Sequence, residues 1–442
     1  MYFPFPTSRR LSIILVFLFS AASSLASEWR TVELPARPLN IAESNGILWV
    51  CGADGLIAAS VDGGNTWAAK HLKQNGNLLL NIGFANSQFG YATGTGGEIL
   101  VSKDGGNTWD SRRIPANVAY EADFSDENHG IIHTPRAVFV TIDGATTWTL
   151  VPIDLTSDEM KRFSHVLYVV AVTTNQMAVV LSEGNSPVYA YKLFLTKDAG
   201  ANWTSLDIPS TGLRRLSAHS GEYWFSGMEV IEKDKPGGGY SVPLIMHSAD
   251  VENWTRLPRW SKHGFSTCNS QGCLYWDGAG VQLPLTGPVS FWTFAKEKAV
   301  TAKWAVAKGA ICSVGMDLRC APVAITQTMP SDAESPNHIQ PLTSAPPLDA
   351  PISEGLQCLF CDVERVMVTT DYQGVAEVQL KLHIGQNGLV EHVEVIRTAN
   401  RGIGERLAAI ARSWIFFPII EDGIAHPANT EVKVRVQAIK SN

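Results

Sequence analysis

Carboxylate, thiol and imidazole side chains recur in this sequence at spacings that chemistry could use. Asp62, Asp104 and Asp143 each stand beside a glycine in the runs Ser60–Trp67, Ser102–Trp109 and Thr141–Trp148, and positioned carboxylates are the material of general acid–base catalysis. His129 and His133 have the spacing of a zinc-peptidase pair, and Cys358 and Cys361 that of a redox or metal pair. The surroundings argue against each use. His129-Gly130-Ile131-Ile132-His133 lacks the glutamate base, and in a strand its two imidazoles stand about 13 Å apart. At Cys358-Leu359-Phe360-Cys361, haem attachment needs histidine where Asp362 stands and zinc needs a second ligand pair. Redox work needs a helix where strand-like residues follow, so a small structural disulfide is expected. Gly94-Thr95-Gly96-Gly97 separates two strand-like runs and opens no helix, which makes it a turn and not a phosphate cradle. Arg112–Arg113 and Arg214–Arg215 each follow a repeat at similar positions and read as solvated edges or as a basic patch for an acidic partner.

The aspartates fit a local, structural role. Ser60-Val61-Asp62-Gly63-Gly64-Asn65-Thr66-Trp67 returns as Ser102–Trp109 with Asp104, Gly106 and Trp109, then as Thr141–Trp148 with Asp143 and Trp148. A fourth copy keeps Asp198, Gly200 and Trp203, and a fifth, Ser248–Trp254, is one residue short. Glycines tolerate positive φ at a bend, a carboxylate accepts from backbone N–H groups stranded there, and a tryptophan folds its ring under the turn. The closing tryptophans recur about every 40 to 55 residues, the period of a four-stranded propeller blade.

The octet resembles the Asp-box, or BNR repeat, S-x-D-x-G-x-T-W, of sialidase, sortilin-type and photosystem II assembly factor propellers. That resemblance implies a structural element away from the working surface. A sialidase-like glycoside hydrolase would also need an arginine cluster, a Tyr/Glu nucleophile pair and an Asp acid. The arginine motif that usually precedes the first box is absent: the region offers Arg30 and Ala36-Arg37-Pro38. Between boxes the pattern is strand, strand, strand, box, outer strand, as in Leu78–Phe84, Phe89–Ala92 and Glu98–Ser102. Ser182–Pro187 and Lys233–Gly239 read as hairpin extensions. Two units without boxes, Gly264–Pro284 and Lys298–Ile325, bring the expected count to seven blades. Glu28–Leu34 resembles a strand that follows a box, yet none precedes it; it is expected to complete the last blade and close the ring.

Residues 1–26 read as a leader. Arg9 and Arg10 precede the apolar run Leu11–Phe19, and Ser24-Leu25-Ala26 supplies small residues at a cleavage site near Ala26. Export to the periplasm is therefore expected, with no later run long enough for a spanning helix. The net charge of −7 becomes more acidic by two once Arg9 and Arg10 leave, which disfavours nucleic acid as a partner. Seven cysteines in an exported chain favour disulfides. Cys268 with Cys273, Cys312 with Cys320 and Cys358 with Cys361 are the local pairings, leaving Cys51 as a buried thiol. The expected division is a propeller over 27–326, a Pro-rich linker over 327–353 and a second unit over 354–442.

In that second unit Val378, Leu380, Leu382 and Ile384 alternate with polar residues, and Asn387-Gly388 turns the chain into Leu389–Ile396. Ile403, Leu407, Ile410, Ala411 and Trp414 form one helical stripe ended by Pro418. Val432, Val434 and Val436 alternate in a closing strand. This ββαβ order, with the strand opening at Gly374, the helix ending in Trp414, Pro418 beyond it and Gly423 before the last strand, resembles the TonB C-terminal domain over about 363–438. The resemblance implies partner binding by strand addition through the Val432–Val436 edge. The fold class expected is mostly β: an Asp-box propeller with a small α+β TonB-like domain. The expected function is a non-enzymatic envelope binding protein without cofactor or metal. Its partners would be an envelope protein or peptide, or a cell-wall or outer-membrane component. The alternatives are a TonB-like energy transducer and, third, a sialidase-like hydrolase.

Overall fold

The computed structural model describes residues 28–73, 76–134, 137–151, 163–183, 191–207, 213–231, 240–256, 266–275, 279–282, 291–294, 303–326, 358–360, 368–370, 374–385, 389–412, 414–416, 419–421 and 424–440. The leader, the proposed linker, Cys361, Asn387, Gly388, Pro418 and Gly423 lie outside them. Up to Thr326 the described chain forms five four-stranded antiparallel sheets followed by one of eight strands. The first sheet comprises Pro38–Ser44, Ile47–Gly52, Ile57–Ser60 and Ala68–His71. The next four span Leu79–Arg113, Glu121–Leu150, Phe163–Asp207 and Leu213–Arg256.

The middle strands of these sheets, such as Ile47–Gly52, Ile57–Ser60, Gly90–Gly94 and Glu98–Ser102, are buried along almost their whole length because both faces are covered, whereas outermost strands such as Asp110–Arg113 are largely exposed. In the second strand of the first sheet, Trp49 and Cys51 pack with Leu79, Ile82 and Leu100 of the second sheet. The alternate residues Leu48 and Val50 pack with Ala305, Ala307 and Val314 near the chain's far end. One sheet thus joins its successor on one face and the last strands on the other. The innermost strand of each sheet packs on that of the next around a ring.

Closure takes the expected form. Leu318–Thr326 pairs over its first part with Arg30–Val32, in the register Arg30↔Cys320, and over its last part with Phe291–Phe294. That double pairing fuses two sets of strands into the eight-stranded sheet. The first unit without a box runs on past Pro284 to a fourth strand at Phe291–Phe294, an extension the sequence hid because no box marks where its third strand ends.

The ββαβ order of the second unit is present as Gly374–Ile384, Val390–Thr398, helix α1 at Arg401–Ala411 and Ala428–Lys440. Asn400 caps α1, its side chain accepting from the Ile403 N–H at 3.1 Å. Ile403, Leu407 and Ala411 are buried against Val378, Leu380, Val432 and Val434. One expectation is corrected. The helix ends at Ala411, and Trp414 lies beyond it as a fully buried core residue. Val432, Val434 and Val436 bury their side chains in the core, which leaves the backbone of their strand as the part a partner strand could meet. Their strand sits second in the sheet, between Val368–Thr370 and Gly374–Ile384. Val368–Thr370 covers only its Ala438–Lys440 end, and among the described residues no strand lies beside its outer side from Ala428 to Gln437. Among the described residues no helix is long and apolar enough to cross a membrane.

Candidate functional site

Each box is built round an aspartate that accepts several hydrogen bonds, and in all but the third, where the Trp148 indole N–H has no partner among the described residues, the tryptophan closes the circuit. Asp62 accepts from the Ser60 hydroxyl at 2.8 Å, the Thr66 N–H at 2.9 Å and the Thr66 hydroxyl at 2.7 Å, while the Trp67 indole donates to the Gly64 carbonyl at 3.1 Å. Ser102, Asp104, Thr108 and Trp109 repeat these contacts. In the third box Thr141 and Thr147 hold Asp143. In the fourth, Thr196 and Asn202 hold Asp198, and the Trp203 indole donates to Gly200. Donated hydrogen bonds keep Asp104 down at about 2, the backbone and hydroxyl of Thr108 leading. For Asp143, burial pushes the other way, but Thr147 and Thr141 prevail and hold it at about 2. Groups so tied are permanent acceptors and poor proton donors near neutrality.

The boxes also join neighbouring sheets. The residue at the second glycine position has positive φ in all five copies, at Gly64, Gly106, Ala145, Gly200 and Val251. A Cβ at Gly64 would stand 2.7 Å from Cys312 Sγ, and at Gly106 2.2 Å from the Trp49 ring. The outermost strand of the preceding sheet contributes as well: Arg30 donates to the Gly64 carbonyl at 2.6 Å, and Arg112 to that of Gly144. Arg112–Arg113 therefore lies on an outermost strand, whereas Arg214–Arg215 lies on the innermost strand Leu213–His219. The two pairs hold unlike places and form no common patch.

Cys268 and Cys273 are bridged between directly paired strand positions, as are Cys312 and Cys320. Cys51 is a buried thiol donating to the Leu79 carbonyl at 3.3 Å, its pKa raised by burial. Cys358 opens the strand Cys358–Phe360. His129 rests on Asp126 at 2.9 Å, and His133 is buried with its ring 5.6 Å from that of Tyr120.

The chemistry that converges lies elsewhere, on innermost strands. Glu121 in the third sheet forms an ion pair with Arg215 in the fifth, and the Arg215 guanidinium lies 5.1 Å over the Tyr168 ring of the fourth. A pair that skips a sheet has to cross the interior of the ring. Glu121 is 10% exposed at its side chain and Arg215 32%, so solvent still reaches the guanidinium. Next to them Asp123 accepts from the Tyr91 hydroxyl and the Ala171 N–H, both at 2.9 Å. Burial pushes Asp123 up to about 6 against those two donors. Lys303 donates to the Leu39 carbonyl at 2.8 Å, and burial lowers it to about 8. Asn40 reaches the Leu80 carbonyl, and Asn81 accepts from the Ala122 N–H. Glu121, Asp123 and Lys303 escaped the sequence reading. Their signal was available: a polar residue at one place in otherwise apolar first strands, as in Leu39-Asn40-Ile41 and Leu80-Asn81-Ile82.

The registers separate the two ends of the ring. Ser44 pairs with Ile47 and Leu48 with Ser60, so the box lies where the first strand finishes. Pro38 pairs with Gly52 and Cys51 with Ile57 at the opposite end, called here the mouth. There Leu389, which closes the turn after Ile384, is buried with Leu39, Ala53, Leu78, Leu80 and Val118. Arg37 donates to the Arg412 carbonyl at 3.2 Å.

Ring-packed sheets joined by Asp-boxes define a β-propeller of the BNR type. The profile of the family described as photosynthesis system II assembly factor YCF48 matches residues 74–206. Among solved structures, YCF48 bound to D1 peptide is similar at 15% identity and a TM-score of 0.43, over 67% of this chain and 97% of that one. YCF48 from Cyanidioschyzon merolae is similar at 15% identity and 0.39, over 66% and 98%. The GH74 xyloglucanase from Xanthomonas campestris is similar at 13% identity and 0.42, over 69% and 54%. No curated protein matches the chain.

Proposed function

We propose that this chain is an exported, non-enzymatic binding protein of the cell envelope. Its propeller, read as seven blades by counting the eight-stranded sheet as two, takes a protein or peptide. The observation that carries this reading is the convergence of Glu121, Arg215 and Tyr168 from three sheets in one interior. It combines a cation, an anion and an aromatic face, the mixture that recognises peptide groups by hydrogen bonding and stacking. The acidic groups of the boxes and interior are engaged in structural contacts, which favours binding over turnover. The family matched over 74–206 supports the same reading, since one YCF48 structure holds a D1 peptide. The C-terminal unit is read as TonB-like, docking a partner on the outer backbone of Ala428–Gln437 while Glu431, Lys433 and Arg435 face outward. The test is a peptide array of envelope-protein sequences probed with the mature chain. Spots should be bound by the wild type and lost with the Glu121→Gln, Arg215→Gln pair, and turnover of a sialoside or xyloglucan abolished by Asp123→Asn would overturn the reading.

A further inference from the structure

We propose that the mouth of the ring is a docking surface whose occupant is this chain's own C-terminal unit. Two contacts from separate parts of that unit meet there. Leu389 is only 8% exposed although it closes a turn, and the residues covering it are Leu39, Ala53, Leu78, Leu80 and Val118 of the propeller. It is not among the core residues of its own unit, so its burial is a property of the docked arrangement. The second contact involves the end of α1. Arg412 is its C-cap, where carbonyls lack helical partners and the helix dipole is negative. Arg37, in the segment leading into the first sheet, supplies a guanidinium to the Arg412 carbonyl. An apolar socket and a cation thus receive an apolar turn residue and a helix C-terminus.

The contact lies at the end of the ring opposite the boxes, beside the interior where Lys303 holds Leu39. Because both partners belong to one chain, docking is favoured by high effective concentration. Resting on the peptide-binding reading, one consequence follows: a ligand entering the interior at this end has to displace the C-terminal unit.

Hydrogen exchange on the intact mature chain tests the docking without reference to any ligand. Leu389→Asp places a charge in the socket, and amides in residues 36–40, 76–82 and 116–120 are expected to exchange about ten-fold faster or more. Exchange in the box segments 60–67 and 102–109 should stay at wild-type rates. Leu389→Ala adds no charge and should give the same pattern at smaller amplitude, which preserves the test if the Asp variant fails to fold. Unchanged exchange at the mouth in the folded variants would overturn the proposal. So would protection in the wild type that grows with protein concentration alongside a dimeric mass, which would make a second copy the occupant. Loss of array binding with docking intact would instead reflect on the peptide-binding reading.

Discussion

Gly106, in the second box, lies against the Trp49 indole of the preceding sheet so closely that a Cβ there would stand 2.2 Å from the ring. Its φ of +89 is also one that side-chain-bearing residues resist. Gly106→Ala is therefore expected to destabilise the propeller by roughly 1 to 3 kcal/mol, read as a lower urea midpoint at unchanged slope. Ala145 already occupies the matching place in the third box with positive φ, so tolerance there depends on the neighbour it meets. A Gly106→Ala chain as stable as wild type would show that the box is not a joint.

Removing residues 28–34 tests closure. Arg30–Val32 covers one side of Leu318–Cys320, and Arg30 also holds Gly64 and Asn65. Without it, an edge of backbone donors and acceptors is exposed. The truncated chain should melt at a lower temperature than the intact chain and associate more strongly with increasing concentration in sedimentation.

The acid side of the stability profile has two legs. Asp104 and Asp143 are held at about 2 in the fold, below their ordinary range, so their contribution is present above about pH 4 and is lost as pH falls toward 2. Asp123 is raised to about 6, so the folded state favours its proton and stability falls as pH rises from about 4 to 6. Asp123→Asn should remove that second fall and leave the first. Urea midpoints measured from pH 2.5 to 7 decide it, and an unaltered profile in the variant would exclude Asp123 as the source.

The boxes were legible because their physics is local: Ser60, Asp62, Thr66 and Trp67 satisfy one another within eight residues, so type and spacing carry the whole message. The closing role of Glu28–Leu34 was legible by the same logic, as an outer strand lacking its box. Glu121 and Arg215 act between sheets 94 positions apart in sequence, a relationship no short spacing records. Arg215 was misplaced for a related reason. Both it and Arg112 follow a box, but Arg112 lies on the outermost strand directly after Trp109, whereas by Arg215 the chain has left the strand after Trp203 and passed into the next sheet's innermost strand. In the C-terminal unit, alternation located Val432, Val434 and Val436 on one face, which is the core's; the backbone edge of the same strand is a separate feature on which alternation is silent. Trp414 fitted the helical stripe yet lies past its end, because Arg412 already serves as the cap.

The account's central claim is that the interior around Glu121, Arg215 and Tyr168 binds peptide. Fluorescence anisotropy of an array-selected peptide against the mature chain tests it most directly. Exchanging both charges in Glu121→Gln, Arg215→Gln avoids leaving one buried charge unpaired. The predicted result is affinity weakened about ten-fold or more in that folded variant; equal affinity in the two chains would contradict the claim.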